Sequence, residues 1–166
     1  MENRIFGIET EYGCLPPDSA PFLSPDFISV KTKDHVFYKE RLGIVDIHYR
    51  GRDEPPGNGG FLLNAGRIYL DMGHLEYASP ECSTLTDLVT YDRAGDTVVQ
   101  DAVDELGWSD SIAIIKNNVD LETNATFGCH ENYLVGRGFP FDERDNLKLL
   151  SAFLVTRQIF CGAGRI

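Results

Sequence analysis

Glu9 and Glu11 stand two apart in Arg4-Ile5-Phe6-Gly7-Ile8-Glu9-Thr10-Glu11-Tyr12-Gly13, and Asp71 ends Arg67-Ile68-Tyr69-Leu70-Asp71, with Glu76 and Glu81 close behind. In an extended strand, residues two apart share a face. Glu9 and Glu11 therefore point one way, with Phe6, Ile8 and Tyr12 pointing the other. Arg67, Tyr69 and Asp71 likewise share a face, backed by Ile68, Leu70 and Met72. Two such strands side by side would make a sheet with one apolar and one acidic face. Packing does not call for acids gathered in this way. A hard divalent cation does, because Mg²⁺ takes oxygen ligands. Arg67, on the Asp71 face, suits either a carboxylate partner or a nucleotide phosphate. The chain has no Gly-x-x-x-x-Gly-Lys-Ser/Thr loop, so any nucleotide must be held through metal ions and arginines.

Each of these residues also has an ordinary structural role open to it. A Glu-x-Glu pair is common on a solvated sheet face. Glu76 falls in a Gly/His-containing stretch that reads as a turn. His130 fits either a metal ligand or a hydrogen-bonded core residue, and Tyr69 fits an amphipathic rim. The case for chemistry rests on several acids converging on one face.

Elements must position these groups. Residues 4–13 and 61–72 read as strands, and 14–60 as irregular, with Pro16, Pro17, Pro21 and Pro25 early. The Arg50–Gly60 stretch is almost free of apolar residues and reads as a mobile loop inside a flexible insertion around 41–60. Residues 83–106 carry a helical stripe of Leu85, Leu88, Val89, Val99, Ala102, Val103 and Leu106, with Thr84 and Asp87 at its start and Gly107 at its stop. Ile112–Ile115 and Phe127–Val135 read as short strands. A helix from about Asp145 to Phe160 should turn Leu147, Leu150, Phe153 and Leu154 inward. This order predicts an α+β fold with a mostly antiparallel sheet. The last six residues, Cys161–Ile166, read as a turn entering another element, so the chain is expected to be a fragment of a longer protein.

The 166 residues fit one domain with a real core, and 42% hydrophobic content argues against disorder. A net charge of -11 disfavours nonspecific binding to nucleic acid or to an anionic membrane. There is no run of about 18 apolar residues and no signal-peptide pattern at Met1-Glu2-Asn3-Arg4, so a cytoplasmic location is expected. Cys14, Cys82, Cys129 and Cys161 are scattered without a Cys-x-x-Cys pair, which points to reduced thiols. Without a secretory signal, the Asn124-Ala125-Thr126 acceptor triplet reads as chance.

Several motifs, in order along the chain, resemble one family. They are Gly7-Ile8-Glu9-Thr10-Glu11-Tyr12-Gly13, Asn64-Ala65-Gly66-Arg67-Ile68-Tyr69-Leu70-Asp71, Glu76-Tyr77-Ala78-Ser79-Pro80-Glu81-Cys82, Asp92-Arg93-Ala94-Gly95, Lys116-Asn117-Asn118, Cys129-His130-Glu131-Asn132-Tyr133-Leu134 and Thr156-Arg157-Gln158. Together they resemble the Pup-modifying enzymes, the Pup–protein ligase and the Pup deamidase/depupylase. These belong to the carboxylate–amine ligase superfamily with glutamine synthetase. The resemblance covers nearly everything except residues 14–60 and matches about the N-terminal third of a family member. It implies a curved, mostly antiparallel, glutamine synthetase-like sheet. It implies Mg²⁺ at Glu9, Tyr69 and Glu76, with Glu11 and His130 near it. It implies ATP at Arg67 and Ser79, the latter where the ligase pattern prefers Thr, and it makes Asp71 the catalytic carboxylate. The implied partners are Pup or a Pup-like modifier, its target proteins and the proteasome pathway.

The resemblance implies ATP activation of a glutamate as a γ-glutamyl phosphate, with Mg²⁺ neutralising the phosphates and Asp71 taking a proton from the attacking lysine. In the reverse reaction the same carboxylate would act on an amide carbon. Glu9-Thr10-Glu11, Cys129-His130-Glu131-Asn132 and Cys161-Gly162-Ala163-Gly164 look more like the ligase. The Asp71–Glu76 spacing, one residue shorter than the ligase pattern, looks more like the depupylase. The register at the chemistry weighs most, so deamidation or depupylation is the expected reaction and ligation the alternative. A non-catalytic binding fragment and a ligase of the glutamate–cysteine type remain open.

Overall fold

β1 (Phe6–Leu15) is the strand on which the others are built. A computed structural model of the chain describes residues 4–17, 23–116, 119, 126–157 and 159. Along these residues follow β2 (Gly43–Val45), β3 (Gly59–Leu62), β4 (Arg67–Asp71), β5 (His74–Ala78), β6 (Ala113–Ile115) and β7 (Cys129–Tyr133). The helices are α1 (Pro25–Asp34), which runs into a π-helical turn at His35–Lys39, α2 (Leu85–Glu105) and α3 (Arg144–Thr156). The described strands form one antiparallel sheet in the order β2-β3-β4-β5-β1-β6, with β7 also paired to β1. The architecture is α+β, as the pattern predicts.

Several local expectations need correction. Residues 61–72 are not one strand. A turn after Leu62 separates β3 from β4, with Asn64 Oδ1 accepting from Gly66 N–H at 2.9 Å and Ala65 at φ 66°. Met72 does not back β4. With Gly73 it forms the two-residue turn into β5, at φ 48° and 91°, and it is 93% exposed. Positive φ at both central positions is what a tight hairpin needs. β1 and β4 do not lie side by side, because β5 stands between them. Residues 14–60 are not irregular throughout: α1 is there, started by Ser24, whose Oγ accepts from Phe27 N–H, and by Pro25 at its first turn. β2 and β3 also occupy parts of the 41–60 range. Asn117, Asn118, Asn124, Ala125, Gln158 and the Cys161–Ile166 turn lie outside the described residues.

The apolar side of the sheet carries the core. Tyr12, Leu62, Ile68, Leu75 and Tyr77 pack with Val36 and Phe37 of the π-helical turn and with Val99 and Ala102 of α2. Truncating a buried Leu such as Leu75 to Ala costs about 2–5 kcal/mol. α2 begins as predicted, with Thr84 Oγ1 accepting from Asp87 N–H at 3.0 Å, and ends before Gly107 at φ 75°. Only the later part of its stripe is buried. Leu85 and Val89 are exposed. At Gly95 the helix lies so close to the sheet that a Cβ would sit 2.4 Å from the Tyr77 ring. The Asp92-to-Asp96 turn fastens it: Tyr12 O–H donates to Asp96 at 2.9 Å, and Lys116 pairs with both aspartates at 3.0 and 2.6 Å. The Asp92-Arg93-Ala94-Gly95 and Lys116 motifs thus serve helix–sheet packing. α3 does not turn its apolar face inward within this chain. Leu147, Leu150, Phe153 and Leu154 are exposed among the described residues.

Candidate functional site

The face opposite the core is set by ladder register. In an antiparallel ladder, directly opposed residues stand on the same side. One row across the sheet reads Phe61, Arg67, Ala78, Glu9, His130. The next reads Gly59, Tyr69, Glu76, Glu11. Beyond it Asp71 opposes His74. The candidate site residues Glu9, Glu11, Arg67, Tyr69, Asp71, Glu76 and His130 therefore fall within these three rows, and Ser79 and Glu81, beyond the end of β5, do not. Glu76 does not sit in a turn; it is mid-strand in β5, held beside Tyr69 and Glu11, and 1% exposed.

Glu76 is the electrostatic centre. Its Oε2 accepts from Tyr69 O–H at 2.6 Å, while its Oε1 is buried with no hydrogen-bond partner. Burial first, then the charges of Glu11, Glu9 and Asp71, push Glu76 up to about 9. Four carboxylates thus crowd one side of the sheet around an orphaned buried oxygen. Glu9 and Glu11 each meet an imidazole: His130 Nδ1 lies 3.2 Å from Glu9 Oε2, and His74 Nδ1 lies 3.2 Å from Glu11 Oε2. Gly128 leaves room for Glu11, since a Cβ there would lie 2.7 Å from Glu11 Oε1. Gly59 does the same for Tyr69, whose Cβ would be 2.2 Å from one placed on it.

Arg67 lies over the Tyr69 ring, 4.5 Å from its centroid, and pairs with Glu54 Oε2 at 3.3 Å. Its Nε is buried without a hydrogen-bond partner. Ser79 stands apart, at the Phe6 end of β1, beside a groove of about 310 Å³ lined by Ile5, Phe6, Ile8, Pro80 and Leu134. Its Oγ accepts from Ile8 N–H at 3.1 Å and donates to Pro80 O at 3.0 Å, so in this state the hydroxyl braces the backbone.

By its chemistry the donor set suits a hard cation, although the ligand atoms of Glu9, Glu11 and Glu76 do not all lie within 4.8 Å of one another. It offers carboxylate oxygens from Glu9, Glu11 and Glu76 and a phenol from Tyr69, and the unpartnered Glu76 Oε1 lacks a positive partner. Sequence reasoning missed His74, although its place two residues before Glu76 puts it on the same strand face. It also missed Gly59 and Gly128, because close approach across strands leaves no mark in local pattern.

The family described as Pup-ligase protein matches residues 4–166. The Pup–protein ligase of Corynebacterium jeikeium (strain K411) is 39% identical over 170 residues, covering 100% of this chain and 32% of that protein. The Pup–protein ligase of Pseudarthrobacter chlorophenolicus is 40% identical over 176 residues, covering 100% of this chain and 35% of that protein. The chain thus spans about a third of the length of the curated relatives it matches. A crystal structure of the complex between prokaryotic ubiquitin-like protein Pup and its ligase PafA superposes with a TM-score of 0.74 at 39% identity, over 99% of this chain and 31% of that one. With these matches, the chain belongs to the Pup-ligase protein family.

Proposed function

We propose that this chain forms part of the active site of a Pup–protein ligase, joining the C-terminal glutamate of Pup to a lysine of a target protein. The observation that carries this reading is the row Tyr69–Glu76–Glu11, with Asp71 next to it on the same face. Relatives at 39–40% identity that are named Pup–protein ligase favour ligation over the deamidation or depupylation expected from the Asp71–Glu76 spacing. That spacing is a weak guide for a physical reason. Hairpins close with two- or three-residue loops, so one residue at Met72-Gly73 alters the turn and leaves the two carboxylates on their strands.

In this reading Glu9, Glu11 and Glu76 hold Mg²⁺, with Tyr69 fixing Glu76 and His130 standing behind Glu9. Arg67 would exchange Glu54 for a phosphate of ATP, and Ser79, at the Phe6 end of β1, would contact the nucleotide from there. Bound Mg²⁺–ATP supplies the activation of the Pup carboxylate. Asp71 would accept the proton of the attacking lysine amine, a role supported by its place opposite His74 in the row next to Tyr69, Glu76 and Glu11. The acid-rich surroundings hold an incoming ammonium group near Asp71 before it is deprotonated.

The test is Asp71→Asn in the natural protein, assayed with Mg²⁺–ATP, Pup and a lysine-bearing target. The substitution keeps shape and leaves the packing of Ile68 and Leu70 untouched. Nucleotide should still bind, and ligation should fall by about a hundredfold or more, the scale of a lost general base. Near-parental ligation would remove Asp71 from the chemistry. A parent that releases Pup from conjugates but does not ligate would return the assignment to depupylation.

A further inference from the structure

The Glu11 carboxylate has a difficult position. It faces Glu76 across the ladder, with Glu9 two residues away on the same face and Asp71 contributing to the same negative field. A glutamate side chain has several rotatable bonds, and like-charge repulsion alone would swing it toward solvent. It is nevertheless 13% exposed, turned inward, with its Oε2 at 3.2 Å from His74 Nδ1. The imidazole is itself held, because its ring stacks on Phe127 at 4.8 Å between centroids and 28° between planes. His74 is also placed by the backbone: the Met72-Gly73 turn puts it directly opposite Asp71.

We propose that His74 is a positioning residue, clamped between Phe127 and Asp71's strand, that holds the Glu11 carboxylate in the orientation needed for the divalent cation. This inference rests on the proposed function. Mg²⁺ is a poor partner for imidazole nitrogen and a good one for carboxylate oxygen. His74 therefore serves the site through Glu11, in the way that partners behind a metal ligand commonly fix its orientation. Its hydrogen bond engages Oε2, while Oε1 lies on the side cleared by Gly128.

The experiment measures Mg²⁺–ATP affinity by calorimetry in the natural protein. His74→Phe keeps a ring on Phe127 and removes the nitrogen. It should weaken Mg²⁺ binding by about tenfold or more, the usual effect of losing a ligand's supporting partner. His74→Asn, which keeps a side-chain donor, should recover most of that loss. In a Glu11→Gln background, His74→Phe should have no further effect. Parental affinity in a folded His74→Phe, or an equal loss in the Glu11→Gln background, would overturn the inference. Should His74→Phe not fold, His74→Asn against His74→Leu gives the same comparison, and equal affinities would overturn it. A parent that fails to bind Mg²⁺–ATP at all would instead bring down the reading of the site, and the role of His74 with it.

Discussion

Replacing Glu76 with Gln should stabilise the metal-free chain at neutral pH, against the usual rule that core substitutions destabilise. Glu76 is 1% exposed, with one oxygen on Tyr69 O–H and the other without a donor. Its surroundings raise it from 4.5 to about 9. The folded chain therefore keeps this proton at pH 7 while the unfolded chain releases it. With the native state binding more protons than the unfolded one between these two values, stability falls as pH rises through that window. At pH 7 the penalty is about 3 kcal/mol, from roughly 2.5 pH units at about 1.4 kcal/mol each. Gln has the same shape, carries no charge to lose, accepts from Tyr69 and donates toward Glu9. The expected gain is about 1–3 kcal/mol at pH 7, shrinking to a few tenths by pH 4.5, where the folded parent is protonated and the unfolded parent about half so. Urea unfolding of parent and Glu76→Gln, with chelator present, from pH 4.5 to 8 reads the difference directly. A variant less stable than the parent at pH 7, or a gap that does not change with pH, would refute the assignment of Glu76 as a buried, charge-frustrated acid. Added Mg²⁺ should then stabilise the parent more than the variant, since only the parent offers the carboxylate.

Glu9→Gln should raise the Mg²⁺–ATP dissociation constant at least tenfold in the natural protein, and calorimetry at parental affinity would remove Glu9 from the cation site. Gly95→Ala should destabilise the chain by about 1–3 kcal/mol even though Ala favours helix, because the new methyl meets the Tyr77 ring; a raised melting temperature would contradict that packing. Amide exchange should divide the Arg50–Gly60 stretch: residues 51–56 should exchange quickly, and residues 57–60 slowly. The latter are tied by Gly57 N–H to Asp46 O at 2.8 Å, by Lys33 Nζ to Gly57 O at 2.6 Å and by the β3 ladder. Uniform exchange across both parts would show that these ties do not hold the loop.

Local pattern made much of this site legible. Period-two alternation in a strand puts Glu9 with Glu11 and Arg67 with Tyr69 and Asp71 on single faces, and the ladder keeps those sets together. Capping chemistry placed α2, because Thr84 and Gly107 act on the backbone next to them. The motifs named the family, since several short patterns in order are more specific than any one of them. The tertiary structure decided what lies between distant segments. It inserted β5 between β1 and β4, which turned Glu76 from a turn residue into the buried centre of the acids. It brought His130 to Glu9 and His74 to Glu11 across the ladder, and it pressed Gly95 against the Tyr77 ring and Gly128 against the Glu11 carboxylate. It also exposed the apolar face of α3, whose periodicity marks a side to be covered without saying by what. Periodicity tells which side chains share a face, because it follows from one strand's own dihedrals. Which strands are neighbours depends on hydrogen bonds between residues tens of positions apart, and burial, with the proton Glu76 keeps, follows from that pairing.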